Sequence, residues 1–126
     1  MVELLVVIAI ISLLSALAFT QFQSARARAR DAEREKEIKT LQNALAIYVV
    51  NNLNYPVYSG ALTGSDTASA ALIDDGAIPQ IPSDPLNTGN FIYTYESADG
   101  STYTLTYYLE TDSIPGKPAG MQTAGP

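Results

Sequence analysis

The sequence predicts an α+β chain in which one long N-terminal α-helix packs, through its C-terminal half, on a small antiparallel β-hairpin or sheet head. Three observations predict it. No glycine or proline occurs before Pro56, so nothing in the composition interrupts a helix over residues 1–54. Ile38, Leu41, Leu45, Tyr48 and Asn52 recur at spacings of three and four, the mark of a single helix face. Two alternating, aromatic-rich runs, FIYTYE and TYTLTYYLE, flank SADGS, whose Asp-Gly pair signals a hairpin turn.

The first stretch, residues 1–22, is a hydrophobic transmembrane or assembly helix. Leu4 to Phe19 is apolar apart from Ser12 and Ser15 and spans about 24 Å as a helix. Extended from Met1 to Phe22 it reaches about 30 Å, the thickness of a bilayer's hydrocarbon core. It is apolar all round, which suits lipid or a protein interior and not a wetted surface. Glu3 is the exception, a carboxylate at the head of the apolar run.

The second stretch, residues 23–54, continues the same helix in amphipathic form. SARARARDAEREKEIK is built of strong helix formers, with Glu35 and Lys39 spaced for an i,i+4 ion pair. Ala44 and Val49 widen the apolar stripe, and NNLNYP ends the helix. A helix of this length has no use in a monomeric soluble protein.

Residues 55–126 form a small acidic head. YSGALTGSDTASA reads as a loop, and SDTASAALIDDG as a short helix capped by Ser65 and stopped at Gly76. IPQIPSDPLNTGN, with three prolines, is an extended connection. In the hairpin, Tyr103, Leu105, Tyr107 and Leu109 share a face that is expected to pack on the Ile38/Leu41/Leu45/Tyr48 stripe. Tyr93, Tyr95, Tyr103, Tyr107 and Tyr108 are read as packing residues, not redox groups. The tail PGKPAGMQTAGP is expected to be weakly ordered.

Composition narrows the chemistry. The chain of 126 residues has no cysteine and no histidine, which removes disulfides, thiolate or histidine metal sites and Ser-His or Cys-His catalysis. An enzyme would need a paired-carboxylate mechanism, and no carboxylate has that setting. Residues 1–54 carry six basic and five acidic side chains, a net of +1, and residues 55–126 carry one basic against eight acidic, a net of −7. Such a head repels phosphate backbones, so no direct nucleic-acid binding is expected of it.

Three readings of the N-terminus compete. A secretory signal peptide would use Ala16-Leu17-Ala18 for cleavage, but no basic residue precedes the core and the only charge there is negative. A plain membrane anchor explains the apolarity and leaves Glu3 at the interface. The third reading packs the apolar helices of identical subunits together. A buried Glu3 then needs a cation, for which a neighbour's α-amino group is the candidate, and it sets register more than stability.

MVELLVVIAIISLLSALAF resembles the N-terminal helix of type IV pilins and of type II secretion pseudopilins. Val2, Glu3, Leu4, Leu5, Val6, Val7, Ile8, Ala9, Ile10 and Ile11 match that family's string residue by residue. The resemblance implies that Met1 is the third residue of a mature chain that a prepilin peptidase has cut to begin with an N-methylated Phe. It also implies that Glu3 neutralises a neighbour's terminal amine, and it extends more loosely through the NNLNYP, IPSDP and Tyr-rich stretches. Ser12 and Thr20 stand where pilins often carry a helix-breaking Gly and Pro, so an unbroken helix is expected here. The positive-inside rule would place Arg26, Arg28, Arg30 and Arg34 in the cytoplasm. Pilins lie the other way, an orientation the family sets with a basic leader that is removed.

By that resemblance the expected function is a structural subunit polymerising into a type IV pilus-like helical filament on the cell surface, with a membrane-inserted pool before assembly. The alternatives are a pseudopilin of a type II secretion system and a membrane-tethered monomeric binding module. The expected assembly residues are Glu3, Leu4, Leu5, Val6, Val7, Ile8, Ala9, Ile10, Ile11, Ser12, Leu13, Leu14 and Ala16. Among them Ala9, Ser12 and Ala16, like Ser15 and Ala18 nearby, let neighbouring helices approach. The expected partners are identical subunits, the inner membrane, the prepilin peptidase and the pilus assembly machinery. No cofactor is expected beyond calcium, for which the resemblance suggests Asp84, Asp99 and Asp112 without any EF-hand spacing. The Arg26/Arg28/Arg30 cluster is open to lipid phosphates, to a neighbour's acidic groups or to water alone.

Overall fold

The computed structural model describes residues 1–126. Helix α1 runs unbroken over Val2–Asn52, 51 residues, about 76 Å at about 1.5 Å per residue. Ser12 Oγ and Thr20 Oγ1 donate to the carbonyls of Ile8 and Leu17 at 2.8 and 2.9 Å. Both hydroxyls are thereby satisfied within the helix, and neither loosens it. Leu53 closes α1 in a left-handed conformation (φ 68), its N–H donating to the Val49 carbonyl at 2.8 Å.

The head holds strands β1 (Tyr58–Ala61), β2 (Thr94–Ser97), β3 (Thr104–Leu109) and β4 (Gly120–Ala124), with helix α2 (Thr67–Asp74) after β1. The sheet is wholly antiparallel in sequence order, with Gly60 opposite Tyr95, Tyr95 opposite Leu105 and Leu105 opposite Ala124. As the alternation requires, Tyr103, Leu105, Tyr107 and Leu109 are buried against Ile38, Leu41, Ala44 and Leu45 of α1. Tyr93 and Tyr95 complete this core from the β2 side, and Leu62, Ala68, Leu72, Ile78 and Ile81 close its other end. Tyr108 points to the opposite face, half-buried beside Phe91.

Several local expectations are corrected. Residues 58–61 form an edge strand, not a loop; four residues holding a glycine are too short to show alternation. The cap of α2 is Asp66, not Ser65, because its carboxylate accepts from Ser69 N–H and Ser69 Oγ at 2.9 and 2.6 Å. The tail is ordered where it was expected to be loose, since β3 offers a free edge whose ladder β4 completes. Glu35 pairs with Lys117 at 2.8 Å and not with Lys39.

Candidate functional site

Two regions carry unusual side chains: the bare N-terminal half of α1 and a buried ionic cluster where α1 enters the head. Along the first, Val2 to Phe22 projects from the head with every large apolar side chain at least half exposed. An 18-residue window in it is apolar enough to cross a membrane, and none of that window is buried. Glu3, Leu4, Leu5, Val6, Val7, Ile8, Ala9, Ile10, Ile11, Ser12, Leu13, Leu14 and Ala16 are all exposed within the copy. Leu13 and Leu14, at the middle of the run, are as bare as its beginning, 65 % and 59 % exposed. A leucine that packed on its own head would be covered, so Leu13 belongs to the outward-facing surface with the rest. Ala9, Ser12 and Ala16 fall on one side of this rod, spaced three and four apart. Glu3 lies in the first turn, fully exposed. The expected assembly residues therefore form one continuous surface that no part of the head covers.

The second region escaped the sequence reading. Asp31 and Arg34 occupy the same helix face as Ile38, Leu41 and Leu45, one and two turns earlier, so both enter the head's interior. Arg34 is fully buried. Its Nε and one terminal nitrogen clasp both Asp84 oxygens at 2.7 and 3.0 Å, and the other terminal nitrogen reaches Asp31 at 2.8 Å and Glu110 at 2.7 Å. Phe91 stacks against the guanidinium, 4.8 Å from its centre. Asp31 in turn accepts the Glu110 N–H at 2.9 Å, the Thr111 N–H at 2.8 Å and the Thr111 hydroxyl at 2.6 Å. Arg30 clamps Glu110 with two bonds of 2.6 and 2.8 Å. No buried polar side-chain atom is left without a partner.

The charge states follow from these contacts. Burial alone would lower the Arg34 pKa, but the bonds to Asp84, Glu110 and Asp31 outweigh it and raise it. Arg30, with Arg34 second, draws the Glu110 carboxyl down to about 2 against the opposing pull of burial. Beside the cluster, Tyr93 donates to Glu37, and burial raises both of their pKa values. Lys117 bonds Glu35 and the Tyr107 hydroxyl at 2.8 Å each, fastening the segment between β3 and β4 to the helix. The cluster is a clamp: it joins α1, the proline-rich loop and the end of β3 around a guanidinium that has no exit to solvent.

Asp84, Asp99 and Asp112 do not come together. Asp84 is consumed by Arg34 and by the Leu86 N–H at 2.9 Å. Asp99 sits in the β2–β3 turn and accepts from Ser101, and Asp112 caps the Ala119 N–H at 2.6 Å. No group of three metal-ligating side chains exists in the chain, so these carboxylates do not fit a shared calcium ion. The signal that would have revealed the clamp was in plain sight: Asp31 and Arg34 extend the apolar stripe at its own spacing, and charged residues on a buried face must find partners.

A family model described as type II secretion system, protein G, matches residues 21–119. That span takes in the amphipathic half of α1, the clamp and nearly all of the head, and begins where the apolar string ends. No curated protein matches the chain, and no solved structure does. With a spine helix, a four-stranded antiparallel head and a match over most of its length, the chain belongs to the type II secretion system protein G family.

Proposed function

We propose that this chain is a membrane-anchored pseudopilin, a non-catalytic subunit that polymerises through its apolar helix into a pilus-like filament serving a secretion apparatus. One observation carries the reading: the apolar half of α1 is wholly unburied while the head and the C-terminal half of α1 complete a core without it. Such a surface needs lipid before assembly and other copies after it. Lipid is as apolar as leucine, so copies exchange lipid for one another through close packing at Ala9, Ser12 and Ala16, with Glu3 fixing the register. The family match favours a pseudopilin over a pilus displayed on the cell surface.

The non-catalytic part of the reading draws support from the surface. The largest groove, about 450 Å³, runs beside Glu37, Thr40 and residues 78–83. Its one carboxylate is already bonded to Tyr93. The reading also needs no metal, and a head of net charge −7 gives nucleic acid no purchase.

Electron microscopy of membranes carrying the full chain tests this directly. Fibres containing the subunit are expected, and Glu3→Ala is expected to stay membrane-inserted while forming few of them. Normal fibre yield from that variant would remove the register role of Glu3. A monomeric, fibre-free unaltered chain would leave the tethered binding module standing instead.

A further inference from the structure

Two ends of the head gather exposed apolar side chains and charges of one sign that form no ion pair within one copy. At the distal end of α1, Leu53 holds φ 68 and is 84 % exposed. Glycine or asparagine would close the helix there without strain and without presenting an apolar side chain to water. Val57, close by, is also exposed. Three carboxylates lie on segments that meet this end of α1. Asp75 accepts from Asn51 and Asn52 at 2.9 Å each, and Asp74 precedes it at the end of α2. The Asp99 turn is held beside the same pole by the Tyr55 N–H, which donates to the Gly100 carbonyl at 2.8 Å. None of the three meets a cation within the chain.

At the proximal end, just before the clamp, the charge is reversed and the apolar character repeats. Arg26 and Arg28 form no ion pair. Arg26 lies over the exposed ring of Phe22, 4.4 Å from its centre. Both poles sit on one continuous helix, so the 24 residues from Arg28 to Asn52 separate them by about 36 Å.

A surface that complements a different surface of the same molecule makes head-to-tail contacts, and these propagate into open helical polymers instead of closing. We propose that the distal pole docks on the Phe22–Arg28 collar of a second copy of this chain, shifted by about 36 Å along the spine. The inference rests on the filament reading above and supplies its longitudinal contact. The carboxylates steer and orient the collar, and Leu53 and Val57 cover the ring of Phe22. Anionic lipid headgroups compete for the arginines, yet lipid accounts for neither the strained leucine nor the carboxylates at the far end.

The chain has no cysteine, so Arg28→Cys combined with Asp74→Cys introduces its only thiols. In fibres of the full chain, oxidation is expected to give a ladder of linked oligomers from the double variant and at most dimers from either single one. Leu53→Gly, which relaxes the cap, is expected to keep or raise the melting temperature while lowering fibre yield. Arg26→Glu with Arg28→Glu also lowers the yield, and adding Asp74→Lys with Asp75→Lys restores part of it. Normal fibres from Leu53→Gly and from the reversed collar, with no ladder, overturn the contact and leave the filament reading in place. A collar defect that the lysine pair fails to restore, and that vanishes in purely zwitterionic bilayers, assigns the arginines to lipid and also overturns it. No fibres from the unaltered chain overturn both readings.

Discussion

Arg34 and Asp84 meet through two hydrogen bonds, Nε to Oδ2 at 2.7 Å and a terminal nitrogen to Oδ1 at 3.0 Å, and neither side chain reaches solvent. This pair and the carboxylates around it attach the head to the spine. The apolar core holds the sheet against α1, but the clamp decides which turn of the helix the head occupies. A shift by one turn would leave a buried guanidinium without its acids.

Arg34→Met is therefore expected to lower head stability by about 3–5 kcal/mol, because it strands Asp31 and Asp84 in the interior. Arg34→Lys recovers only a part, since a single ammonium cannot span both Asp84 oxygens while reaching Asp31 and Glu110. Denaturant midpoints of the two variants check this; a lysine variant as stable as the parent would show that the fork geometry is immaterial.

Acid should loosen the clamp at Glu110. Its pKa falls from an ordinary carboxylate value to about 2 in the folded chain. A depressed carboxyl stabilises the fold above its unfolded pKa, and that contribution fades as the pH drops from about 4.3 through about 2. It amounts to something on the order of 2–3 kcal/mol. Melting temperature measured from pH 7 to 2 should decline steeply in this window, and Glu110→Gln should flatten the decline while lowering the plateau.

Lys117 fastens the β3–β4 segment from outside the core. Its ammonium, raised in pKa by Glu35 and Tyr107 against the effect of burial, keeps its charge throughout the physiological range. Lys117→Met is expected to destabilise the chain by only about 0.5–1 kcal/mol. Amide exchange at Met121 to Thr123 should nevertheless accelerate more than exchange in β2, because β4 is the element that the lysine holds. Equal acceleration in both strands would mean that the loss is global.

Calcium should not act through Asp84, Asp99 and Asp112 jointly, because Asp84 is already held by Arg34 and the other two are bonded elsewhere. A ligand that binds the native state raises stability by an amount that grows with the logarithm of its concentration. Any rise in melting temperature between excess chelator and millimolar calcium is expected to persist unchanged in Asp99→Asn; its loss in that variant would return Asp99 to the candidate ligands.

Gly100 is a position where one added carbon should matter. It adopts φ 79, and a Cβ there would lie 2.9 Å from the Tyr55 carbonyl oxygen. Gly100→Ala is expected to weaken the β2–β3 turn by about 1–2 kcal/mol, read from thermal melts.

The sequence was most legible where a pattern repeats. The apolar string is unbroken, the 38–41–45–48 stripe and the two aromatic runs each repeat a period, and the structure places all three accordingly. Legibility failed where pairing is non-local. Residues 120–124 show little strand propensity and become β4 only because β3, on the far side of a long connection, has an open edge. Lys39 and Lys117 competed for Glu35, and the more distant partner won by tertiary placement. Asp84 resembled a metal ligand by analogy alone, whereas its actual cation is a guanidinium 50 residues earlier in the chain. The bare apolar half of α1 was readable as composition, Leu13 and Leu14 as much as Glu3, but the poles of the head depend on where Leu53 and the three carboxylates fall in space.

The clamp is closed by contacts far apart in the sequence: Arg34 lies 50 residues before Asp84 and 76 before Glu110. A chain threaded N-terminus first into a bilayer thus holds its key arginine with only Asp31 in reach until Asp84 has followed, and without its full set of acids until Glu110 has followed too. Closure of the head accordingly waits on residues far beyond the helix, and a truncation short of Thr111 should yield an anchored rod bearing an unfinished domain, ready prey for membrane proteases.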